Sequence, residues 1–280
     1  MTISRLDLDG LGSPVAIAAR IHALMQDMPM AVPLEELCRD LDIASIDEIQ
    51  TSGFEAALVM DANKAAGGIL VAAGRTRQRR RYSIGHELGH FLIPTHMPRP
   101  GHGFECSLDD FHLLDPREQD RRKRIEAEAN RFAAALLMPK HRIWASTASR
   151  RPSLGEIARM AGEFDVSKEA MARAYVEAHR EPIAVVILQH GRIQRMYRDQ
   201  ANFPWLAPRI GHTVPDGSIA HAHQVKVAEL TDAEECEPDV WFNERDARRV
   251  DVLTEQLLGQ QNGFAMLLLH AELIDEDEAE

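Results

Sequence analysis

Two histidines four positions apart, His86 and His90, are the residues whose types and spacing most directly allow chemistry. They sit in His86-Glu87-Leu88-Gly89-His90, an H-E-x-x-H pattern within the stretch from Tyr82 to Ile93. On a helix, residues four apart lie one above the other, so both imidazoles can point at one metal ion. Glu87 follows His86 by about 100° round the axis, which sets its carboxylate beside the ion without making it a ligand. The chemistry this allows is hydrolysis, in which the metal polarises a carbonyl and acidifies a water while the glutamate takes the proton. The bland alternative is a core helix with two satisfied histidines, and a third ligand separates the two readings.

Catalytic zinc takes three protein ligands and leaves one position open. The stretch from Ile125 to Met138 is rich in strong helix formers and ends before Pro139. On its wheel Glu126, Ala129, Asn130, Ala133 and Leu137 share one face, while Glu128 points about 160° from Glu126. The alanines would let this helix approach Gly85 and Gly89, which flank the histidine face. Glycine costs a helix roughly 1 kcal/mol per residue, so that pair expects another backbone passing close by. An unpaired carboxylate beside Ala129, Ala133 and Leu137 would be costly, which makes Glu126 the candidate third ligand and Zn2+ the candidate cofactor. Asn130 is placed to hydrogen-bond the outer nitrogen of a histidine, and Glu128 reads as an ordinary surface carboxylate. Ile84, Leu88 and Phe91 form an apolar stripe that buries the first helix, and Pro94 stops it.

Together, His86-Glu87-Leu88-Gly89-His90 and Glu126-x-x-Ala129-Asn130-x-Phe132-Ala133-x-x-Leu136-Leu137-Met138-Pro139 resemble the ImmA/IrrE family of zinc metallopeptidases, over about residues 15–140. The resemblance implies His86, His90 and Glu126 as zinc ligands and Glu87 as the catalytic glutamate of a gluzincin-type endopeptidase. It implies a zincin-like domain with a small sheet beside a buried active-site helix. It also implies a protein substrate inside the cell, a helix-turn-helix transcriptional repressor whose cleavage switches on stress or mobile-element genes.

The elements that must position these residues read as an α+β chain. Pro14 to Met28 and Val32 to Leu41 have helical spacing, and Phe54 to Met60 and Ile69 to Ala73 read as strands separated by Gly67-Gly68. If one of those strands is an edge, an extended substrate can add to it through backbone bonds. Arg75, Arg77, Arg79, Arg80 and Arg81 read as a solvated loop offset by nearby acids, and Arg121-Arg122-Lys123-Arg124 likewise. Residues 94–120 form a long proline- and glycine-punctuated insertion, a candidate rim or lid for the cleft. His96, His102 and His112 lie there and each reads as a surface residue, although one of them could stabilise an oxyanion. Cys106 is a candidate cap for the zinc in a resting form.

Three segments follow from these breaks: a peptidase domain at 1–148, a helix-turn-helix-like module at 149–181, and a β-rich domain at 182–280, for which the resemblance implies a sensory, GAF-like fold. The hairpins expected in the last are Ile183 to Leu188 with Ile193 to Tyr197, and Val250 to Leu258 with Phe264 to Leu273. Residues 152–180 hold four basic and five acidic side chains, a balance of −1, so that module reads as packing or docking a partner rather than DNA. A formal charge of −12 over 280 residues speaks in the same direction. Three cysteines without a C-x-x-C pattern imply neither a disulfide framework nor a cysteine zinc site, which fits a reducing cytoplasm. No signal peptide and no membrane span are expected. The rivals to the peptidase are a DNA-binding transcriptional regulator using 152–180, and a non-catalytic partner-binding protein in which zinc is structural.

Overall fold

The computed structural model describes residues 3–61, 63–97, 104–106, 120–222 and 226–274. From the amino-terminal side come two helices, α1 (Pro14–Leu24) and α2 (Leu34–Asp40), then strands β1 (Ile43–Ile49), β2 (Ala56–Met60) and β3 (Gly67–Ala72). Helix α3 (Arg77–Leu92), a short strand β4 (Phe104–Cys106) and helix α4 (Arg121–Leu137) follow. The first sheet has the order β1-β3-β2-β4, with β1 parallel to β3 and the other pairs antiparallel. Strand β1 escapes the sequence reading for a physical reason. Its apolar residues are Ile43, Ile46 and Ile49, three apart, which mimics a helix more than the alternation of a strand. The Gly67-Gly68 pair lies inside β3, not between strands. A Cβ on Gly67 would stand 2.9 Å from Ile43 Cδ1 and 3.2 Å from the Phe91 ring, so glycine lets β3 lie against both.

Helix α3 is the centre of this unit and packs on α4, which packs in turn on α1. Ile84, Leu88 and Phe91 are buried, and so are His86, Glu87 and His90 on the other side. Thr76 caps the helix by accepting from the Arg79 N–H. Arg77, Arg79, Arg80 and Arg81 therefore lie in the first turns of α3 and not in a loop, while Arg75 just precedes the cap. Acids distant in sequence neutralise these arginines. Arg75 and Arg79 reach Glu55 at 2.5 and 3.4 Å, Arg80 reaches Glu35 at 2.7 Å and Glu48 at 2.8 Å, and Arg77 and Arg81 reach Asp165 at 2.6 and 3.2 Å. Arg121, Arg122, Lys123 and Arg124 are the exposed first turn of α4.

At the far end of α3, Lys64 donates to the carbonyls of His90, Phe91 and Ile93 at 2.9, 3.3 and 2.8 Å. A cation there complements the helix dipole and occupies carbonyls the helix cannot satisfy itself. Burial, with Arg5 adding to it, pulls the Lys64 pKa down to about 8.

The two helix glycines make a contrasting pair of predictions. A Cβ on Gly85 would meet Ala133 Cβ at 3.6 Å, an ordinary contact, whereas one on Gly89 would meet Phe132 Cδ1 at 2.9 Å. Gly85→Ala is expected to be neutral or to stabilise by up to about 1 kcal/mol, the helix-propensity gain. Gly89→Ala must displace the Phe132 ring and is expected to destabilise by about 1–3 kcal/mol. Urea denaturation of both variants checks the order.

A second unit comprises Lys140–Gly162 and Lys168–Glu280, while Glu163–Ser167 belongs with the first. Its longer helices are α5 (Lys140–Thr147), most of α6 (Leu154–Phe164) and α7 (Lys168–Ala178). Its sheet is wholly antiparallel in the order β6-β5-β9-β8-β7, from β5 (Ile183–Gln189), β6 (Arg192–Arg198), β7 (Glu234–Glu235), β8 (Val250–Gly259) and β9 (Phe264–Leu273). Both hairpins anticipated from the sequence are present. The first turns through His190 and Gly191 at φ 49° and 72°, the pair of positive values that matches the twist of the flanking strands. Among the described residues no helix is long and apolar enough to cross a membrane.

Glu255 is fully buried on β8 of this unit, where it accepts from the Ser218 hydroxyl, the Ile219 N–H and the Trp241 indole N–H at 2.8, 2.7 and 2.5 Å. Burial pushes its pKa up, against the pull of those three donors. Glu255→Ala orphans all three in the core, and a loss of about 3 kcal/mol or more is expected in chemical denaturation followed by tryptophan fluorescence.

Candidate metal centre

Helix α3 points His86 and His90 toward α4, whose Glu126 faces them. His86 Nε2 and His90 Nε2 are 3.0 Å apart, and Glu126 Oε2 lies 3.2 Å from the first and 3.3 Å from the second. Cys106, on β4, brings a fourth donor: its Sγ is 3.7 Å from His90 Nε2 and 3.6 Å from Glu126 Oε2. All four side chains are buried, and their donor atoms lie within 4.8 Å of one another.

The spacings test whether a metal fits. A tetrahedral ion with bonds of about 2.0 Å to nitrogen and oxygen separates its ligands by about 3.3 Å. With a sulfur bond of about 2.3 Å, the separation from sulfur to the lighter donors is about 3.5 Å. The edges among His86, His90 and Glu126, and the two from Cys106 to His90 and Glu126, sit close to these figures, while the Cys106 donor lies within 4.8 Å of that of His86. His86, His90 and Glu126 therefore fit a tetrahedral cation with the thiol beside it. The electrostatics agree, because a metal needs its ligands deprotonated. Burial pulls the His90 pKa down to about 3. Burial raises that of Glu126, but its contacts with the His86 and His90 rings outweigh it and hold the carboxyl well below the usual range.

The outer ring nitrogens are engaged as well. His86 Nδ1 lies 2.9 Å from Asn130 Oδ1, which also accepts from the Tyr82 hydroxyl at 3.0 Å. His90 Nδ1 lies 3.1 Å from His96 Nδ1, and His96 Nε2 lies 2.9 Å from Glu128 Oε2. These contacts correct two expectations. His96 is not a surface histidine but is 0% exposed. Glu128 is not simply a solvated carboxylate, because it is bonded to that buried ring. The wheel sets Glu128 apart from Glu126 correctly, yet takes no account of the chain after Pro94 folding back to put His96 within its reach. Burial holds the His96 pKa below the ordinary histidine value, against the pull of Glu128. His102 and His112 lie outside the described residues.

Glu87 follows His86 on α3 and is fully buried. Beside these side chains, β4 pairs antiparallel with β2, Ala56 with Cys106 and Leu58 with Phe104, and the Glu55 N–H donates to the Cys106 carbonyl at 2.9 Å. The outer edge of β2 is therefore occupied by the chain itself.

A helix bearing H-E-x-x-H, packed on a helix that offers a glutamate and flanked by a small mixed sheet, defines a zincin-like peptidase domain. Residues 45–175 match the family model described as the IrrE N-terminal-like domain, Peptidase_M78, so this stretch of the chain is similar to that domain. No curated protein matches the chain. Among solved structures, a Mycobacterium tuberculosis transcriptional regulator aligns with a TM-score of 0.49 at 12% identity, covering 95% of this chain and 74% of that one.

Proposed function

We propose that this chain is a zinc-dependent endopeptidase of the gluzincin type, acting in the cytoplasm on a helix-turn-helix transcriptional repressor and thereby derepressing stress or mobile-element genes. The observation that carries the reading is the triangle of His86 Nε2, His90 Nε2 and Glu126 Oε2, with edges of 3.0–3.3 Å, on a helix that also carries Glu87. Zinc held by those three residues would polarise the scissile carbonyl and acidify a water. Glu87 would take the proton from that water on a carboxylate oxygen and deliver it to the nitrogen of the departing amine. Asn130, by accepting from His86 Nδ1, keeps the Nε2 lone pair turned inward.

Cys106, whose Sγ lies beside His90 Nε2 and Glu126 Oε2, would cap the open position in a resting form. Cleavage requires the thiol to withdraw, and because Cys106 is part of β4, its departure also uncovers the edge of β2. That edge would then offer its backbone groups to an extended substrate. The same sulfur favours one rival. A closed set of four donors is the hallmark of structural zinc, so a non-catalytic zinc protein is the second reading.

The direct test is to measure the metal content of the purified protein by mass spectrometry and to incubate it with repressors encoded beside its gene. Cleavage lost on chelation and restored by zinc is expected. Cleavage indifferent to chelation, or a protein that retains zinc yet cuts none of these repressors in any state, would count against the peptidase.

A further inference from the structure

We propose that His96 and Glu128 are positioning residues of the metal centre, locking the His90 ring so that its Nε2 lone pair faces the metal. The proposal rests on the zinc reading above. Its argument is one of donors and acceptors. The Glu128 carboxylate can only accept, so the 2.9 Å contact requires the proton of a neutral His96 to sit on Nε2. That leaves His96 Nδ1 as a bare acceptor. The 3.1 Å contact between the two Nδ1 atoms then requires the proton on His90. A neutral His90 protonated at Nδ1 has its lone pair on Nε2, which is the atom that faces Glu126 and His86. Each link forces the next, and reversing any one of them would leave a proton on the nitrogen that should bind metal.

The two histidines are thus served unequally. His86 is oriented by a single amide, Asn130, which itself also binds Tyr82. His90 is oriented through a ring to a carboxylate, which adds negative charge behind the ligand and raises its basicity. The relay also gives Glu128, with its side chain 35% exposed, a route from the surface to a metal ligand. Neither residue belongs to the H-E-x-x-H pattern or supplies a metal donor. Lys64, bonded to the carbonyls of His90 and Ile93, holds the end of α3 from which the turn returns His96 to His90.

Loss of such an outer partner typically weakens metal binding about 10- to 100-fold. The experiment measures zinc affinity of the full-length protein by competition with a chromogenic chelator, alongside thermal melts of the metal-free forms. His96→Leu is expected to bind zinc about 10- to 100-fold more weakly than wild type. His96→Gln supplies an amide oxygen to accept from His90 Nδ1 and an amide N–H for Glu128, and is expected to recover most of that loss. A merely structural role would not be rescued by glutamine and would lower the metal-free melting temperature in step with affinity. Should His96→Leu fail to fold, Glu128→Leu replaces it, since its side chain is partly exposed, with the same direction of effect. Variants that match wild type within twofold, or leucine and glutamine variants that match each other, overturn the relay alone. A wild type that takes up no zinc, or a His86→Ala control that binds as tightly as wild type, overturns the zinc reading and the relay with it.

Discussion

Glu87→Gln is expected to keep its zinc and to cleave substrate about 10²- to 10⁴-fold more slowly, the range lost when a positioned general base is removed. The substitution is nearly isosteric, which matters at a fully buried site where a shorter side chain would leave a void. It leaves His86, His90 and Glu126 untouched, so metal content should not change. An amide cannot take a proton from water at neutral pH, and the loss should therefore fall on kcat more than on KM. Comparing kcat/KM and bound zinc in the two proteins checks both halves of the claim. A variant cleaving at the wild-type rate would remove Glu87 from the mechanism.

Cys106→Ala is expected to raise basal cleavage roughly 10- to 100-fold, if the open form is populated at about 1–10% in the resting protein. The reasoning is geometric. The Cys106 sulfur is 3.6–3.7 Å from two of the three other donors, and alanine has no atom to put there. Strand β4 retains its backbone pairing with β2 in the variant, so part of the obstruction persists and the rise is bounded. Cobalt substitution gives an independent view, because the thiolate-to-cobalt absorption should be present in the wild type and missing in the variant. The structural-zinc reading predicts the opposite outcome: loss of zinc and no gain of cleavage. One variant therefore separates the two functions proposed for the centre.

Much of this molecule is legible from local periodicity. His86 and His90 share a face because four residues make about one helical turn, and the same arithmetic puts Glu126 and Asn130 together on α4. The two glycines of α3 announced a close neighbour through their cost to the helix, and Ala133 and Phe132 are the residues found against them. The hairpins of the second sheet were visible because Gly191 and Gly263 mark turns that only positive φ can make. Strand β1 was hidden by isoleucines spaced three apart.

What the sequence by itself determined is the set of helix faces and turns, since each depends on residues a few positions apart. Only the tertiary structure decided which distant groups those faces meet. Nothing local to Cys106 says that its strand pairs with β2 and brings sulfur to His90, 16 residues away. Nothing near Glu128 says that His96 will reach it across 32 residues, or that Asp165 will brace the start of α3 across 84. Such meetings depend on how strands pair and helices pack, and a carboxylate or thiol carries no signature of its partner until the fold has closed the gap.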